Sequence, residues 1–264
     1  MDTAWFAIDN DGNVALFETG ESGCVPQDAY CGDDAYSLQE EIRALPITGF
    51  KFDPNGYRET QWSDHVDNDE NLAADTEIYM FLSDLVPVQD LLSRLDPQEM
   101  QATTCKAVRI TARDRAALAE LHARDACLGC YRDWGGSAEE IASHGIYRYE
   151  HTCENWIAGP YARATVPSKP LTIDQVPKSI RDKAIAFDGR FADTLKLQPA
   201  ELWSCDSWEA GWLSSDGKTA RPFEDHEDDW DSYAGDRGED GEGDIKFVNE
   251  PFTPAGPPKP RWWK

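Results

Sequence analysis

Two Asp-Gly turns, each set between short apolar runs, commit two separate parts of this 264-residue chain to antiparallel pairing. In the first, Trp5-Phe6-Ala7-Ile8 and Val14-Ala15-Leu16-Phe17 flank Asp9-Asn10-Asp11-Gly12-Asn13. In the second, Trp212-Leu213 leads into Ser214-Ser215-Asp216-Gly217 and Lys218-Thr219. Glycine enters the positive-φ region without a steric cost, so both stretches read as β-hairpins. The first turn superficially resembles a calcium loop. However, Val14 and Gly20 stand at the sixth and twelfth positions, where an EF-hand needs Gly and Glu.

Between the hairpins the apolar pattern changes period repeatedly. Residues 77–82 and 107–111 predict strands, and residues 146–150, 155–158 and 162–166 predict an antiparallel meander turning at Gly159-Pro160. Helical spacing covers residues 37–42, 87–95, 113–127 and 173–187. Strands and helices intermix without a regular βαβ period. The expected fold is therefore α+β: mainly antiparallel sheet with flanking helices and an acidic, partly disordered C-terminal tail.

Charge divides the chain more sharply than hydropathy does. Residues 1–100 hold 22 Asp/Glu against four Lys/Arg, and residues 101–223 hold 16 of each. Residues 224–244 hold 11 acids and one Arg, within a total net charge of −25. The expected organisation is an acidic α+β subdomain over 1–100, a charge-balanced one over 101–223 packed on it, and an acidic then Pro-rich tail over 224–264. A segregated field of this sign repels nucleic acid and anionic membrane and speeds encounter with basic proteins. No stretch approaches the roughly 20 apolar residues that span a bilayer. The start has neither the basic nor the apolar region of a secretory signal, so a cytoplasmic location is expected. Seven irregularly spaced Cys fit reduced thiols better than a disulfide framework.

Ten Trp are ample for a core, and Trp5, Trp156, Trp203, Trp208 and Trp212 sit in strand-like or aromatic contexts that predict burial. Trp62 beside Asp64, Asp67, Asp69 and Glu70, and Trp230 beside Asp228, Asp229 and Asp231, combine an aromatic anchor with carboxylates. That pairing suits a basic, partly apolar partner surface. Cys127-Leu128-Gly129-Cys130, followed by His144, His151 and Cys153, offers N and S ligands for zinc. The spacing lacks a second matching knuckle, and the alternative is a helix C-terminus with Gly129 as its stop. Cys153 or Cys205 with His144 or His151 would be the material for a nucleophile, but no nucleophile elbow or cysteine-protease signature surrounds them.

The opening residues 5–21, the run Gly145-Ile146-Tyr147-Arg148-Tyr149-Glu150, then Glu154-Asn155-Trp156, Gly159-Pro160-Tyr161 and Trp212-Leu213…Ser215-Asp216-Gly217-Lys218-Thr219 resemble an uncharacterised bacterial protein family. The resemblance implies one unit to about residue 223 with a variable acidic tail. In type, though not in motif, the chain is also similar to SMI1/KNR4-like immunity proteins. The expectation is a non-enzymatic binding module with no cofactor, engaging a basic protein such as a toxin or nuclease that it neutralises. A small zinc enzyme or redox protein built on Cys127, Cys130, His144, His151 and Cys153 is the alternative. A nucleic-acid mimic is a further one, disfavoured because the carboxylates cluster rather than repeat.

Overall fold

A computed structural model describes residues 3–20, 22–29, 34–52, 73–83, 86–100, 105–124, 126–131, 141, 143–154, 157–223, 230, 245–252 and 254. Strands β1 (Ala4–Ile8) and β2 (Val14–Glu18) pair antiparallel, with Ile8 opposite Val14. Their turn closes through Gly12 at φ +80° and through the Asp9 carboxylate, which accepts from the backbone N–H of Asp11 (2.9 Å) and Asn13 (2.8 Å). Further elements are β3 (Val25–Pro26), α1 (Asp34–Arg43) and β4 (Phe50–Phe52). After an intervening unit come β9 (Tyr147–Glu154) and β10 (Ile157–Pro167).

The main sheet runs β11–β1–β2–β9–β10–β14–β15–β16, with β4 and β12 also paired to β10. Here β11 is Ile185–Ala186, β12 Lys196–Leu197, β14 Gly211–Leu213, β15 Thr219–Pro222 and β16 Lys246–Phe247. It is a mixed sheet rather than a mainly antiparallel one. The pairs β1/β11, β2/β9, β10/β14 and β15/β16 are parallel, and hairpin-like antiparallel pairs alternate with them.

Both faces of β1 are buried, which is why it reads as a continuous apolar run instead of an alternating one. Ala4, Phe6 and Ile8 face one core with Val14, Leu16, Ile146 and the α1 residues Leu38 and Ile42. Trp5 and Ala7 face a second, aromatic core with Phe17, Tyr149, Tyr161, Phe191 and Trp203.

Between β4 and β9 the chain builds a separate four-stranded sheet. Its elements are β5 (Glu77–Ser83), α2 (Gln89–Leu92), β6 (Gln98–Met100), β7 (Cys105–Thr111), α3 (Arg115–Ala123) and β8 (Cys127–Tyr131). The order β6–β7–β5–β8 with every neighbour antiparallel is the split βαβ arrangement, β-α-β-β-α-β in sequence. Ile78, Met80 and Leu82 of β5 pack with Val108 and Ile110 of β7 against Leu91, Leu92, Leu118 and Leu121 of the helices. Asp114 caps α3, accepting from Ala117 N–H at 3.0 Å. The expected boundary at residue 100 falls inside this sheet, because β6 pairs with β7 across it.

Four local expectations are corrected. The helix expected over 173–187 is confined to α4 (Lys178–Lys183): Pro177 occupies its N-cap with extended backbone, and Ala184 is extended at the other end. The helix expected to reach Cys127 ends at Ala123, and Cys127 opens a strand. Gly159-Pro160 is not a turn but lies inside β10, at a register shift between Ala158 and Tyr161. A Cβ on Gly159 would sit 1.9 Å from the Thr152 carbonyl, so the pair makes a bulge that only glycine can fill at that approach. Finally, the segment after 223 is not all tail, since Trp230 is 1% exposed and β16 extends the sheet beside β15. Among the described residues no helix is long and apolar enough to cross a membrane.

Candidate functional site

The residues singled out in the sequence scatter. Trp62, Asp64, Asp67, Asp69, Glu70, Asp228, Asp229 and Asp231 lie outside the described residues. Trp230 is not an exposed anchor: it fills a core with Ile157, Leu213 and Ala220, its ring 5.8 Å from that of Phe247. Gly211 makes this burial possible, because a Cβ there would stand 2.3 Å from the indole. Trp5, Trp203 and Trp212 are buried as expected, and Trp156 lies outside the described residues. Trp208 reverses its expectation, being 74% exposed. It follows the two-residue strand β13 (Cys205–Asp206) in a bend that leads to β14.

The zinc set is divided between the two sheets. Cys127 and Cys130 are on β8, opposite Leu82 and Met80, which corrects the helix-end reading of that motif. Cys153 and His151 are on β9 of the main sheet, and His144 precedes that strand. Among the described residues no group of three or more His, Cys, Asp or Glu could hold a metal ion.

The main sheet does assemble a cluster of titratable groups against its aromatic core. Trp5 stacks on Phe17 at 4.0 Å and Phe17 on Tyr149 at 4.7 Å, while Tyr161 meets Trp5 edge-on at 5.7 Å. The Tyr161 hydroxyl donates to the Cys24 carbonyl (3.0 Å) and accepts from Trp5 Nε1 (3.3 Å). The Cys24 thiol donates to Gln198 Oε1 at 3.0 Å. Gln198, fully buried, donates from its own amide to the carbonyls of Ala158 (3.0 Å) and Leu213 (2.7 Å), so its orientation is fixed. Cys205 packs beside this group from β13.

His151 pairs across the strands with Tyr161 and meets its ring at 5.6 Å. Its Nε2 is buried without a hydrogen-bond partner, and burial pushes its pKa down to about 4. Burial also pushes the Tyr161 hydroxyl and the Cys205 thiol well above their usual values. Desolvation thus favours the neutral form of all three groups. Of the four nucleophile pairings that the sequence allowed, Cys205 and His151 do reach one cluster, each beside Tyr161. A neutral, desolvated thiol is a poor nucleophile, because the thiolate is the reactive form.

The opposite face of the sheet carries a charged group that sequence reasoning missed. Arg148 on β9, 8% exposed, holds Glu18 of β2 at 2.6 Å and Glu150 of its own strand at 2.5 Å. The parallel register puts Glu18 beside Glu150, and Thr165 of β10 lies opposite Arg148. The available signal was the alternation Arg148-Tyr149-Glu150, which places the two charges on one face and the tyrosine on the other. Cys24, Tyr161 and Gln198 gave no local signal at all. No protein-family model matches the chain, nor does any curated protein or solved structure.

Proposed function

We propose that the chain is a non-enzymatic binding protein whose acidic surface engages a basic protein, in the manner of an immunity protein that neutralises a cationic toxin or nuclease. The observation that carries this reading is Trp208. It projects 74% exposed between Asp206 and Glu209, on a chain of net charge −25. An exposed aromatic flanked by carboxylates is the composition of an interface anchor for a cationic surface. The neutral, buried state of Cys205, Tyr161 and His151 suits a core better than a catalytic centre.

The test immobilises the full chain and passes over it lysate from its own source, first at low salt and then at about 0.5 M, where screening shortens the field to a few ångströms. The expected result is retention of basic proteins, release by salt, weaker retention by Trp208→Ser, and no retention of duplex DNA. Retention of acidic proteins only, or retention that salt leaves unchanged, overturns the reading.

A further inference from the structure

We propose that Cys24 and Cys205 are a redox-modification site, closing to a reversible disulfide at the expense of a small-molecule disulfide. The geometry begins with β3 and β13, which pair antiparallel with Cys205 opposite Pro26. Cys24 stands immediately before β3, two residues from Pro26, so the pairing brings it near Cys205. The Gln27 N–H donates to the Ser204 carbonyl at 3.0 Å and holds the two segments in that register. Both cysteines are free, and both pack in one cluster with Ala158, Ala200 and Trp212. The two thiols are near enough for Cys24 to help raise the Cys205 pKa, behind burial as the main cause.

Access differs between the two. Cys24 is fully buried, whereas Cys205 is only partly so, which makes Cys205 the sulfur that an external oxidant meets. The Cys205 thiolate attacks one sulfur of the small disulfide, forming a mixed disulfide and releasing one thiol. Cys24, losing its proton, then attacks the Cys205 sulfur, closing the Cys24–Cys205 bond and releasing the second thiol. The protein gives up two electrons and two protons, and the small disulfide takes up both pairs.

Because burial holds the Cys205 thiol protonated at neutral pH, the reaction is slow there and quickens as pH rises. The bridge covalently joins the segment after β2 to the one that carries Trp208. It would therefore restrain the exposed tryptophan, although the inference stands independently of any binding role.

The experiment incubates the reduced full-length protein with oxidised glutathione at pH 7 and pH 9. It then counts free thiols in denaturant, maps the bridged peptides by mass spectrometry, and records the melting temperature. The expected result is a fall from seven thiols to five, a Cys24–Cys205 cross-link that forms faster at pH 9, reversal by dithiothreitol, and a melting temperature several degrees above that of the reduced chain. Cys24→Ala should trap glutathione on Cys205. A stable glutathione adduct on wild-type Cys205, a bridge between any other pair, or seven thiols remaining after incubation at pH 9 overturns the proposal. The mapping on wild type decides the matter even where the variant fails to fold.

Discussion

Acidification should destabilise this protein through His151. The imidazole sits on β9 against Tyr161, 8% exposed, with Nε2 unpartnered and its pKa pushed down by burial to about 4, against 6.5 for a solvated histidine. In the unfolded chain the group titrates near 6.5, so between pH 6.5 and 4 the unfolded state binds the extra proton. The stability that neutral His151 contributes is complete above pH 6.5. It is lost as pH falls, by about 2 kcal/mol at pH 5 and about 3 kcal/mol by pH 4. The ring against it is that of Tyr161, whose pKa is raised and which is therefore neutral throughout this window, so it offers no compensating charge.

The assay is urea unfolding from pH 7.5 to 4.5 on wild type and His151→Phe. The many carboxylates of the chain add their own pH dependence to both proteins, so the difference between the two curves isolates the histidine. Phenylalanine keeps an aromatic ring beside Tyr161 and removes the unpartnered nitrogen. The variant should match or exceed wild type at pH 7.5 and gain about 2 kcal/mol on it by pH 5. Parallel curves, or a His151 resonance in the folded protein that titrates near 6.5, would refute the reasoning.

Trp230→Ala should lower the unfolding free energy by about 3–5 kcal/mol in denaturant melts, since the indole is fully enclosed by Ile157, Leu213, Ala220 and Phe247. Deleting residues 224–264 should cost at least as much, because it also removes β16; unchanged melting would return that segment to a dispensable tail. Asp9→Ala should cost about 3 kcal/mol, leaving the N–H groups of Asp11, Asn13 and Phe191 without their carboxylate acceptor. Gly159→Ala should open the β9/β10 pairing, with early hydrogen exchange of the amides around Thr152, because the added Cβ meets that carbonyl at 1.9 Å.

The parts of the fold that could be read in advance are those fixed by neighbours in sequence. The β1/β2 and β14/β15 hairpins follow from turn chemistry and local apolar runs, whereas the antiparallel β9/β10 pair is expected with its turn misplaced at Gly159-Pro160, inside β10. The parallel contacts β2/β9 and β10/β14 join segments far apart along the chain, and nothing in either partner's own pattern selects the other. They arise because a strand buried on both faces accepts a neighbour at each edge. The split βαβ unit was half visible. Its central strands and both helices carry clear periodicity, but Gln98–Met100 is short and polar, and Cys127–Tyr131 continues from a helix without a break in composition. Length and the absence of a proline favoured a longer helix there, and the pairing of β8 with β5 overrode that preference.

Trp208 and Trp230 show why site residues were harder to find than strands. Judged by sequence neighbours, Trp208 belongs with other aromatics and Trp230 with a run of acids, and both expectations invert. Burial is decided by what stands opposite, not alongside. Gly211 leaves room for the Trp230 ring, and Phe247, seventeen positions further on, closes over it. Trp208 has no such partner among the described residues, because β13 ends after two residues and the chain bends away before the next strand begins. The same logic applies to the thiols. Cys24 and Cys205 are 181 positions apart, and only the pairing of two short strands makes them neighbours. Charge survives this inversion better than any single residue does. An excess of acids within a segment is a property of the whole stretch, and it repels anions wherever its individual side chains settle. A basic partner is therefore the most durable part of the functional reading, and Trp208, visible only once the chain is folded, supplies the point of contact to test.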